Sequence, residues 1–167
     1  MSKPKYTPVF FVGQSEFMAS IRMSNNEYDA ILKEFKQLAV NGYLVDINKL
    51  PDYKYSFNKI SGRIFGKASI FKRPVEALKH PIVHIHVMPL GYQTVKHQKS
   101  VTSDLSIIYA DLMFSSYRVI YILDVCSSHN GNISNQKVKN YIDIYENDYA
   151  KLHTAFILKL NEVNKKS

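Results

Sequence analysis

The stretch Pro81-Ile82-Val83-His84-Ile85-His86-Val87-Met88 decides how the chain folds. Its β-branched residues and its period of two mark a strand. Val83, Ile85 and Val87 then share one side, directed into a core, and His84 and His86 share the other. A strand divided in this way belongs to a sheet with one buried face.

Working outward toward the carboxyl terminus, residues 89–101 are a polar, basic connection, longer than most loops in compact domains. Two apolar runs follow, 105–112 and 117–125, separated by Phe114-Ser115-Ser116, and together they read as an antiparallel hairpin. Residues 127–132 are rich in turn formers. A helical stripe of Val138, Tyr141, Ile142, Tyr145, Tyr149, Leu152, Phe156 and Leu160 then predicts a helix over about 136–160, ahead of a fraying polar tail at 161–167.

Toward the amino terminus, residues 61–73 hold short apolar pieces broken by Gly62 and Gly66 and give no clear element, and residues 50–55 read as a connection. Ser24-Asn25-Asn26-Glu27 has the Ser-x-x-Glu form of a capping box and predicts a helix beginning at once. Its apolar stripe is Tyr28, Ile31, Leu32, Phe35, Leu38 and Ala39, and Asn41-Gly42 supplies a left-handed stop. Before it, 8–12 is an apolar run and 17–23 alternates, so either reads as a first strand. The order describes one α+β domain over 1–167: a small antiparallel sheet with helices packed on one face and the other face left for a ligand.

At 167 residues, with 46% hydrophobic and 22% charged residues, the chain can bury a core without staples and is not disordered in composition. Its single cysteine, Cys126, excludes an intrachain disulfide and reads as a buried, inert thiol. No apolar run approaches a membrane span, so a cytoplasmic protein with no membrane partner is expected.

The net charge of +8 is segregated. Residues 1–53 carry six basic and six acidic side chains and residues 104–167 carry seven of each, whereas 54–103 carry nine Lys or Arg against Glu76 alone. Four of the six histidines, His80, His84, His86 and His97, lie in the same window. One basic surface facing a polyanion fits this pattern, and a solvated loop with a charge bias is the alternative.

Imidazoles with ordinary pKa values of ~6.5 exchange protons near neutrality. RNA cleavage needs a base for the 2′-hydroxyl, an acid for the departing 5′-oxygen and positive charge beside the phosphorane. His84 and His86 are the catalytic candidates, against histidines that only cap the sheet. A His-x-His pair also suits a metal, but with no third ligand, Cys-x-x-Cys or His-Glu-x-x-His in the sequence, neither metal nor cofactor is expected. Asp104 either orients an imidazole or caps the next strand with Thr102 and Ser103. Lys96, His97 and Lys99 are placed to grip phosphates or are plain loop cations. On the second hairpin strand, alternation sets Tyr117 and Tyr121 on one face and Arg118 on the other. Tyrosines there and at Tyr109 are core residues more often than base-stacking platforms.

In order along the chain, the helix ending in Asn41-Gly42-Tyr43-Leu44-Val45-Asp46 leads to Asp52-Tyr53. Then come Val83-His84-Ile85-His86-Val87, Thr102-Ser103-Asp104 ahead of Ile107-Ile108-Tyr109, Val119-Ile120-Tyr121-Ile122-Leu123, and finally His129 and Asn135-Gln136. This succession, over roughly 20–150, resembles the YafO family of type II toxin–antitoxin toxins, within the RelE-like group. Just ahead of the apolar pair the family's histidine is replaced by Ser106. The resemblance implies a RelE-like fold and a metal-independent endoribonuclease, an mRNA interferase that cuts messenger RNA in the ribosome and so inhibits translation. Its partners would be a cognate antitoxin, the ribosome and mRNA. His84, His86 and Asp104 would be catalytic, with Lys96, His97, Lys99, Arg118, His129, Asn135 and Lys137 contacting RNA. Two other readings stand beside it: a non-catalytic basic nucleic-acid-binding module, and an inhibitor of another target such as gyrase, because a fold does not fix a function.

Overall fold

The computed structural model describes residues 6–47, 63–94, 97–128 and 132–167. Strand β1 (Val9–Gln14) leads into helices α1 (Glu16–Ser24) and α2 (Asn26–Val40). Next come β2 (Phe65–Ile70), β3 (Ile82–Val87), β4 (Leu105–Phe114), β5 (Tyr117–Ser127) and α3 (Asn135–Lys165). The strands form one sheet in the order β1-β5-β4-β3-β2. Only the β1–β5 pair is parallel; the other neighbours are antiparallel. The fold is α+β, as the order of elements predicts.

Local chemistry sets the element ends. Residues 17–23, which alternate like a strand, are helical because the Ser15 hydroxyl oxygen accepts a bond from the Met18 amide and caps α1. Met18 is fully buried while Phe17 and Met23 stay exposed, the one-sided burial of a helix. The next cap is shifted by one residue from the capping-box reading: Asn25 accepts from the Tyr28 amide, and Ser24 ends α1 with its hydroxyl donating to the Ile21 carbonyl. Gly42, at φ 78°, ends α2 in the left-handed conformation expected of it. The hairpin turns at Ser115-Ser116, with Ser115 at φ 55°. Helix α3 is capped by Ser134, which accepts from the Lys137 amide, and it continues to Lys165, through most of the expected tail.

Helices cover both faces of the sheet. Ile31, Leu32, Phe35, Leu38 and Ala39 of α2 pack on Val83, Ile85, Val87, Ile107, Tyr109, Ile120 and Ile122. The alternate strand residues Ile82, Ile108, Ala110, Leu112, Val119, Tyr121 and Leu123 pack on Val138, Tyr141, Ile142, Tyr145, Leu152 and Phe156 of α3. The reason lies in β4 and β5, which are apolar on both sides and need cover on both. His84 and His86 emerge on the α3 face, opposite the α2 core.

Candidate active site

Beside the two histidines α3 leaves the sheet uncovered, and a cleft of about 510 Å³ opens there. Lys67 and Ser69 of β2 form one wall, His84 and His86 of β3 the floor, and Thr102, Ser103 and Asp104 the other wall. Register explains the gathering: Ser69 pairs with His84 and Ala68 with Ile85, so Lys67 and Ser69 project on the histidine side while Ala68 enters the α2 core. An irregularity in pairing falls between Phe65 and Ala68, the kind of bulge that re-aims a side chain.

Gly66 sits in that irregularity. A Cβ built there would lie 2.4 Å from the Val101 carbonyl oxygen, so only glycine lets residues 98–101 lie against β2. The Lys67 amide donates to that carbonyl at 2.7 Å, and the Gln98 side-chain amide donates to the Gly66 carbonyl at 3.1 Å. This docking delivers Thr102, Ser103 and Asp104 to the histidines.

The imidazole rings stand edge to face with centroids 5.8 Å apart. His84 packs on Phe71 at 4.7 Å, and among the described residues its buried Nδ1 has no hydrogen-bond partner. Burial, reinforced by His86 and Lys67, pushes its pKa down to about 4. At His86, Nδ1 lies 3.0 Å from the Ser103 amide nitrogen and 2.7 Å from the Ser103 carbonyl oxygen. An amide donates and a carbonyl accepts, so a bare Nδ1 bonds to the first and a protonated Nδ1 to the second. Burial lowers the His86 pKa, the Ser103 carbonyl opposes that, Lys67 adds to it, and Asp104 opposes it. The Ser103 hydroxyl, 2.8 Å from both the Val87 and Leu105 carbonyls, ties this wall to β3 and β4.

The remaining candidates divide by position. His97 and Lys99 are exposed at and within the 3-10 turn Gln98–Ser100, on the segment that enters the cleft wall but not in the wall itself. Lys137 is exposed in the first turn of α3 and donates to the Cys126 sulfur at 3.3 Å, and Asn135 is exposed at the start of that helix. Cys126 pairs with Ser106, which in turn pairs with His86, so Lys137 lies on the histidine face of the sheet but two strands along from β3, outside the cleft lining. Lys96 and His129 lie outside the described residues.

Arg118 is placed in the interior instead. It is 2% exposed, forms a two-bond pair with Asp111 and an ion pair with Asp46, and donates to the Thr7, Leu44 and Val45 carbonyls. It belongs to the far end of the hairpin, paired with Met113, whereas the cleft lies at the Leu105 end. Tyr109 and Tyr121 are core residues, the latter donating to Asp148. Lys67 and Ser69 escape a sequence reading because β2 is short and broken by Gly66; the clue is the basic window itself.

Among the described residues no three His, Cys, Asp or Glu side chains are grouped to hold a metal ion, and no helix is long and apolar enough to cross a membrane. No curated protein and no solved structure gives a match to the chain. The family model for toxin YafO of type II toxin–antitoxin systems matches residues 52–151, a span that contains the whole cleft. The chain belongs to the YafO family of type II toxin–antitoxin toxins, which implies a cognate antitoxin as its partner.

Proposed function

We propose that this toxin is a metal-independent endoribonuclease that cuts messenger RNA held in the ribosome, with His84 and His86 as its acid–base pair. The observation that carries the reading is the pair of imidazoles, 5.8 Å apart, on the floor of an open cleft beside Lys67. One ring removes the proton of a ribose 2′-hydroxyl as the 2′-oxygen attacks phosphorus. The P–O5′ bond breaks, the other ring protonates the 5′-oxygen, and a 2′,3′-cyclic phosphate and a 5′-hydroxyl result. Asp104 favours the protonated form of His86, which suits that ring to the acid's role.

Dependence on the ribosome is supported by what positioning of the message can contribute. Burial shifts both rings toward the neutral form. A machine that fixes the message in an attack geometry contributes orientation that free RNA does not bring to the cleft. The excess of Lys and Arg in residues 54–103 favours an RNA-rich partner through counterion release.

Mapping of 5′ ends on one transcript, with and without ribosomes, tests the reading. Cleavage is expected only during translation and is expected to survive EDTA at magnesium levels that keep ribosomes intact. Equal cutting of naked RNA would remove the ribosome from the scheme, and cleavage undiminished in a protein lacking both imidazoles would remove the catalytic assignment.

A further inference from the structure

Among the described residues, Lys67 is a cation without a counterion. It is exposed on an edge strand, lines the same cleft as both histidines, and among the described residues its ammonium forms no ion pair within 4.0 Å. The carboxylate in the same cleft, Asp104, stands on the opposite wall. Ser69, Thr102 and the two rings line the same cleft. A cation, hydroxyl donors and two potential N–H donors around a polar cleft match the needs of one tetrahedral oxyanion.

We propose that Lys67, Ser69, His84 and His86 form a receptor for a single phosphate group, and that seating a phosphate on Lys67 loads protons onto the two histidines. Without an anion, the ammonium opposes protonation of both rings. A bound phosphate cancels that charge and offers acceptor oxygens to the ring N–H groups. Binding and proton uptake are thus linked, and each strengthens the other by the same factor. Lys67 is then a catalytic residue, because it touches the reacting phosphate and determines when an acid is present. The inference rests on the acid–base reading of the same histidines and adds to it the group that switches them on.

The test is an NMR titration of the histidine ring protons, assigned with His84→Gln and His86→Gln, in the wild-type protein, Lys67→Met and Lys67→Arg. Inorganic phosphate is the probe. In the wild type, phosphate is expected to raise the apparent pKa of both rings. In Lys67→Met, both pKa values are expected to start higher than in the wild type and to lose the phosphate response, and Lys67→Arg is expected to restore it. A merely structural role for Lys67 does not produce a rise in the ligand-free protein. A phosphate response that survives unchanged in Lys67→Met, or none in the wild type, overturns the proposal. Ribosome-programmed cleavage is read separately: a phosphate response without any cleavage leaves the receptor standing and removes the nuclease reading.

Discussion

Two residues apart on β3, His84 and His86 share a face with ring centroids 5.8 Å apart, yet among the described residues only His86 has a partner at Nδ1, supplied by Ser103. The two rings are therefore chemically distinct. His84 is held bare by burial, with Phe71 packed against it, while His86 has a bond available in either protonation state.

Removing both rings tests their part in cleavage. His84→Gln combined with His86→Gln is expected to lower ribosome-programmed mRNA cleavage by ~10²–10⁴-fold, the usual contribution of general acid–base groups. Circular dichroism and the melting temperature report whether the fold persists. Retained cleavage would assign the chemistry elsewhere.

The depressed pKa of His84 predicts a loss of stability in acid. Its folded value, about 4, lies below the ordinary 6.5, so the unfolded chain binds the proton more readily. This contribution is fully present above the unfolded value and is lost as pH falls from about 6.5 through about 4. The wild type is expected to lose more thermal stability across that window than His84→Gln. Asp111 and Asp124, whose pKa values burial raises, are common to both proteins, so the difference isolates the imidazole. Parallel curves would contradict the assignment.

Arg118 is expected to act on stability rather than on RNA. Arg118→Met strands the Asp111 carboxylate in the interior and is expected to cost roughly 3–5 kcal/mol, as when one member of a buried ion pair is removed. Urea denaturation measures it. A stable variant with selectively weakened RNA binding would show that the arginine reaches outward.

Asp104 is expected to tune His86. Because the carboxylate raises that ring's pKa, Asp104→Asn is expected to lower it, and the basic limb of the pH–activity curve, where the acid loses its proton, should move to lower pH. NMR titration of His86 in the two proteins gives the direct comparison. An upward movement would mean that Asp104 does not face the ring electrostatically.

Much of this architecture is legible in the residues. The β3 pattern separates core from cleft because a period of two leaves no other arrangement, and the α2 and α3 stripes locate their helices. Where the reading departs from the structure, a local cue was outweighed. Phe17, Ala19, Ile21 and Met23 mimic a strand by chance of spacing, and a single hydroxyl at Ser15 makes the segment a helix. Helices on both faces were signalled by the unbroken apolar runs of β4 and β5, a mark of two-sided burial that the alternating β3 conceals. Arg118 looked like a surface cation because its partners are remote in sequence: Asp46 and the carbonyls of Thr7, Leu44 and Val45 come to it only on folding. Lys67 and Ser69 join the histidines through a β2–β3 pairing that no local pattern announces.

Gly66 leaves no room for even one methyl group between β2 and the segment that carries the other cleft wall. A side chain there meets backbone at Val101, which cannot rotate away as a flexible side chain would. Gly66→Ala is therefore expected to splay the crevice while leaving the α2 and α3 interiors in place, yielding an attenuated toxin that still folds. Growth assays together with its melting curve decide this: full potency at native stability would mean the neighbouring segment can retreat at little cost. If the attenuation is found, a toxin chain can be disarmed at a position that holds none of its chemistry.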